Sequence, residues 1–97
     1  MKYEIKKSES FIKWLSKLKD TKAKIAIARR IARAEAGNLG DHKPVRTHLG
    51  EMRIDVGKGY RVYFAKRDKK IILLVNGGVK KTQDADIEKA LKILEGY

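Results

Sequence analysis

The sequence predicts an α+β fold of order βααββββα. It should have a largely antiparallel sheet, a helical hairpin packed on one face, and a C-terminal helix. Three observations lead there. Apolar residues recur at helical spacing between residues 9 and 36. From Pro44 the period changes to two, and beyond residue 84 the helical spacing returns.

The elements follow in order. Lys2 to Lys7 alternates Tyr3 and Ile5 with charged residues and reads as a short strand. Ser8 suits an N-cap, and Phe11, Trp14, Leu15 and Leu18 form one face of a helix from Glu9 to Lys19. Asp20 caps a second helix, Thr21 to Ala36. Its apolar positions include Ile25, Ala28, Ile31 and Ala32, with Lys22, Arg29, Arg30 and Arg33 largely elsewhere. Gly37 ends it, and residues 38–41 form a turn-rich connection. Val45 to Leu49 reads as a strand, Gly50-Glu51 as a tight turn, and Glu51 to Val56 as the next strand. Tyr60 to Lys66 follows, then a charged turn. Ile71 to Val75 is a continuous apolar run, as for a strand covered on both faces. Asn76-Gly77-Gly78 is expected to break it, with Val79 to Gln83 as loop. Asp84 then caps a last helix, Ala85 to Leu94, with Ile87, Ala90, Leu91 and Leu94 as its stripe.

The segment from Met52 to Phe64 is the sharpest pattern. Met52, Ile54, Val56, Tyr60, Val62 and Phe64 fall on one face; Arg53, Asp55, Arg61 and Tyr63 fall on the other. With Gly57-Lys58-Gly59 as the loop, Asp55 pairs with Arg61 and Arg53 with Tyr63. That second face is expected to stay partly open, and two guanidiniums with a phenol suit a phosphodiester.

Size and charge bound the function. Ninety-seven residues make a single domain, 1–97, with a modest core. No apolar run is long enough to cross a bilayer and the N-terminus lacks the apolar stretch of a signal peptide, so a cytoplasmic protein without membrane association is expected. The absence of cysteine excludes disulfides and thiolate catalysis. His42 and His48 fit no strong ligand spacing, so neither metal nor cofactor is expected. The net charge of +12 attracts polyanions, or an acidic protein partner.

Three stretches carry a resemblance: Leu49 to Ile54; Gly57 to Phe64; and Leu74-Val75-Asn76-Gly77-Gly78-Val79-Lys80-Lys81-Thr82-Gln83-Asp84-Ala85-Asp86-Ile87. They resemble the RelE/ParE superfamily of type II toxin–antitoxin toxins, in the addiction-module killer branch close to HigB. Val79 stands where that branch usually has Asp. The resemblance covers nearly the whole chain and implies a RelE-like fold. It further implies a toxin that cuts mRNA on the ribosome as an endoribonuclease, neutralised by a cognate antitoxin, usually of helix-turn-helix type. Two other readings stay open: a ParE-like gyrase inhibitor that cleaves nothing, and an inactive toxin that only binds antitoxin and helps repress the operon.

Metal-free RNA cleavage needs three things: removal of the 2′ proton, neutralisation of phosphate charge and protonation of the 5′ leaving oxygen. Arg61 matches the family's recurrent strand arginine and is assigned to transition-state charge; Arg53 clamps a neighbouring phosphate or shares that task. Lys80, Lys81 and His48 are acid/base candidates. Tyr63 stacks on a base or orients the phosphate, and Arg29 and Arg33 are candidates to hold rRNA phosphates. The plain alternatives are an Arg61–Asp55 cross-strand ion pair and solvated surface charges. Gln83 and Asp84 read as structural, fixing the entry to the last helix.

Overall fold

The computed structural model describes residues 2–97. The order is β1 (Glu4–Lys7), α1 (Glu9–Lys17), α2 (Thr21–Glu35), β2 (His42–Arg46), β3 (Leu49–Ile54), β4 (Tyr60–Lys66) and β5 (Ile71–Val79). A 3-10 turn, Lys80–Thr82, leads into α3 (Gln83–Leu94). This is the predicted βααββββα fold. The sheet order is β1-β5-β4-β3-β2. β1 joins β5 in parallel; every other neighbouring pair is antiparallel.

Local chemistry explains the helical hairpin. The Ser8 hydroxyl accepts from the Phe11 N–H at 3.0 Å and donates to the Val75 carbonyl, so one side chain starts α1 and ties it to the sheet. Asp20 accepts from the Ala23 N–H at 3.1 Å and from the Tyr60 hydroxyl at 3.0 Å. The stripe predicted for α2 needs correction. Ala23, Ile27, Ile31 and Ala34 are buried, whereas Ile25, Ala28 and Ala32 are exposed. Two apolar stripes coexist on this helix, and sequence period alone does not choose between them. The buried one meets Phe11, Met52, Ile54, Val62 and Phe64 in the main core.

Three strand boundaries also differ. The tight turn falls at Thr47 and His48, with His48 at φ 66°, rather than at Gly50-Glu51. Gly50 and Glu51 are therefore in β3, and β2 starts earlier, at His42. β5 runs straight through Asn76-Gly77-Gly78 to Val79. These glycines admit neighbours instead of breaking the strand. A Cβ on Gly77 would lie 2.3 Å from the Trp14 ring, and one on Gly78 would lie 1.8 Å from an Asp86 oxygen. Asp84 is not the N-cap of α3; it sits in the first turn, and the cap position, Thr82, makes no side-chain capping bond.

The second sheet face is more covered than the sequence suggested. α3 lies across it, and Ile87 and Ala90 join Leu49, Tyr63, Ala65, Leu73 and Val75 in a second core. Helices therefore sandwich the sheet from both sides. At the corner where β3 ends, β4 begins and α3 starts, Arg53 and Arg61 stay partly exposed.

Candidate functional site

The hairpin register places the site. Arg53 pairs with Arg61, Glu51 with Tyr63 and Ile54 with Tyr60. The loop is thus residues 55–59, two longer than the Gly57-Lys58-Gly59 loop read from sequence. The Val56 N–H bonds the Ile54 carbonyl and the Gly59 N–H bonds the Val56 carbonyl, both at 3.0 Å, so Asp55 and Val56 belong to the turn. An even shift preserves which residues share a face. It changes the partners: Asp55 is exposed in the loop, and the carboxylate beside Arg61 is that of Glu51.

Glu51 is the residue that sequence reasoning missed. Its side chain is 0% exposed. Oε1 accepts from Gln83 Nε2 at 2.8 Å and lies 3.6 Å from Arg61 Nε. Oε2 lies 4.0 Å from Lys43 Nζ and is buried without a hydrogen bond. A buried carboxylate needs such cations. The signal was its shared face with Arg53 and Arg61; its burial follows from α3, whose first residue is Gln83.

Arg61 is 11% exposed in its side chain, its Nε buried and unbonded. Arg53, at 37%, holds Asp41 through a 2.8 Å bond, which keeps the Asp41 carboxyl below the usual carboxylate range. Arg30 turns inward from α2, contrary to its grouping with the outward cations. It donates to the Leu39 and Asp41 carbonyls, each at 2.9 Å, and to the Arg53 carbonyl. This one side chain fixes the loop that presents Asp41 to Arg53.

The other sequence candidates are dispersed. Lys80 and Lys81 are exposed on the 3-10 turn, and the Lys80 N–H bonds the Gly59 carbonyl at 2.8 Å, which holds them beside the β3–β4 loop. Together with Gln83 and Asp84 they line a cleft of about 350 Å3 at the start of α3. Tyr63 corrects an expectation: it is 0% exposed beneath α3, with its hydroxyl unpartnered, and offers no ring surface to a base. Burial raises its pKa, reinforced by the charges of Glu51 and Asp86 and partly opposed by Arg61. His48 lies on the β2–β3 turn, not on the strand before Arg53; five residue steps along the chain, roughly 17 Å, separate it from Arg53. Arg29 and Arg33 are exposed on α2, across the sheet from Arg61. Among the described residues no group of three or more His, Asp or Glu side chains could hold a metal, and no helix is long and apolar enough to cross a membrane.

The element order and the sheet topology are those of a RelE-like fold. The chain belongs to the family described as Phage derived protein Gp49-like (DUF891), whose model matches residues 13–95. That family is related to the RelE and addiction-module toxins. An uncharacterized protein of Haemophilus influenzae Rd is 47% identical over 90 residues, covering 93% of this chain and 91% of the relative.

Proposed function

We propose that this protein is a HigB-like toxin of a type II toxin–antitoxin system, a metal-independent endoribonuclease that cuts mRNA on the ribosome in the cytoplasm. One observation carries the reading: Arg53 and Arg61 stand directly opposite each other where β3 ends and β4 begins, both partly exposed. Like charges facing across a strand pair oppose folding. Asp41 and Glu51 offset part of that repulsion, and a phosphodiester between the two guanidiniums would offset the rest.

In this reading Arg61 stabilises the charge that develops on the non-bridging oxygens. Glu51 holds its guanidinium in one orientation, and Arg53 grips the adjoining phosphate. The 2′-hydroxyl gives its proton to solvent water as its oxygen attacks phosphorus, the bond from phosphorus to the 5′-oxygen breaks, and a 2′,3′-cyclic phosphate forms. Lys80 or Lys81, beside the loop at Gly59, carries the proton that the 5′-oxygen takes up. The partner is a cognate antitoxin, a helix-turn-helix protein with an acidic segment that covers this corner.

The test is 5′-end mapping of cellular RNA after induction without antitoxin, wild type beside Arg61→Ala. Discrete in-frame cuts that vanish in a folded Arg61→Ala protein are expected. Filamentation and DNA damage without cuts would replace this reading by gyrase inhibition.

A further inference from the structure

The β2 edge of the sheet carries a feature that the Arg61 site does not use. β1 and β2 are the two outermost strands; α1 packs on β5, α2 on β1 and β3, and α3 on β5 and β4. Along the β2 edge runs a cleft of about 330 Å3. Phe64 forms its floor. A Cβ at residue 50 would come within 2.6 Å of the Phe64 ring, so Gly50 is what lets the ring lie across β3. His42 stands edge-on to that ring, with centroids 6.0 Å apart.

Every charged or ionisable side chain in the lining is basic: Lys43, Arg46, Lys66, His42 and His48, with no carboxylate among them. The large apolar members, Leu49 and Phe64, are only 2% and 4% exposed. The cleft therefore presents only cations as its charged groups, beside the exposed ring of Pro44. That set of donors suits a sugar–phosphate backbone. Arg46 reaches Glu88 at 3.8 Å, but both side chains are about half-exposed or more, and such pairs exchange readily for phosphate. Lys43 links the two places. It pairs with Glu51 on the next strand and, through it, aligns with Tyr63, so Arg61 lies two strand spacings across and two residues along, about 12 Å away.

His42 adds discrimination. Its Nδ1 lies 2.8 Å from the Gly40 carbonyl. A carbonyl only accepts, so Nδ1 donates, and Nε2 of the neutral ring is left as an acceptor. A 2′-hydroxyl can donate to it; DNA has none to offer.

We propose that this edge cleft is a second RNA-binding site, taking the ribose–phosphate backbone without regard to sequence and favouring RNA over DNA through His42. The proposal rests on the RNA-directed reading above for its biological ligand.

The experiment is fluorescence anisotropy with a labelled RNA hairpin and the matching DNA across a potassium chloride series. Arg61→Ala serves as background, so that nothing is cut. The double substitution Arg46→Gln/Lys66→Gln should weaken RNA binding about tenfold at low salt and reduce the salt slope by about one to two. The same charge removal on α1, Lys13→Gln/Lys17→Gln, should change it little. His42→Phe, which keeps an aromatic ring against Phe64, should bring RNA and DNA affinities together. Equal losses from the cleft pair and the α1 pair would show a diffuse field and overturn the site, as would unchanged binding in the cleft pair. Localised binding with no cuts in cellular RNA would sink the nuclease reading and leave the cleft standing.

Discussion

Gln83 Nε2, in the first turn of α3, donates to Glu51 Oε1 at 2.8 Å in the interior of β3. One bond thus fixes the last helix to the carboxylate that lies beside Arg61. It also sets the position of the 3-10 turn carrying Lys80 and Lys81, which immediately precedes Gln83.

Removing that carboxylate should be costly. Glu51→Ala leaves Arg61, 11% exposed, without its partner, and the free energy of unfolding in urea should fall by about 3 kcal/mol. Glu51→Gln retains an oxygen for Gln83 and should lose less. Both should cut cellular mRNA poorly, and a fully active Glu51→Gln protein would show that the charge is not needed to hold Arg61.

Tyr63 should behave in the opposite way. Its hydroxyl is buried and unpartnered, so Tyr63→Phe should leave stability unchanged or raise it by up to about 1 kcal/mol. Because the folded-state pKa of Tyr63 is raised, its contribution is intact below the ordinary phenol range and is lost as pH climbs through the raised value. Tyr63→Phe should therefore flatten the alkaline limb of the stability profile. Toxicity should be unaffected; a folded Tyr63→Phe protein that no longer kills would give the hydroxyl a part in the reaction.

Acid should act through Asp20. The Ala23 N–H and then the Tyr60 hydroxyl hold its carboxyl below the usual range. A depressed folded pKa contributes stability above the unfolded value, and that contribution disappears as pH falls through the folded one. Tyr60→Phe should narrow the stability difference between pH 7 and acid. Urea titrations at several pH values read this directly, and an unchanged acid limb would separate the bond from the titration.

Gly77→Ala should strike the main core. The new Cβ would meet the Trp14 ring at 2.3 Å, and overpacking of this kind costs about 1–3 kcal/mol. Pairing it with Trp14→Leu should give a smaller loss than the two single changes summed, since one contact underlies both. Additive losses in thermal melts would place the strain elsewhere.

The order of elements was legible because hydrophobic period reports local structure directly. Ser8 and Asp20 were legible as caps because the capping bond spans three residues. Cross-strand partners were not: Asp55 and Val56 keep the alternating pattern while already turning, and alternation names the face without naming the neighbour. Glu51 was hidden for a different reason. An acidic residue in an alternating strand reads as solvent-facing, and only α3, more than thirty residues later, encloses it. The same helix buries Tyr63. The strand and face of Arg61, in contrast, were legible from alternation, although its carboxylate neighbour was misassigned.

β1 enters the sheet only beside β5, with Glu4 aligned to Ile71 and Lys7 to Leu74. The first strand to leave a ribosome must therefore wait for one of the last. Such distant pairing slows folding, because a long loop closes before the contact is rewarded. A nascent chain lacking residues 71–79 has no place for β1 and no Val75 carbonyl for Ser8. This topology keeps a growing chain from completing its sheet until β5 has been made.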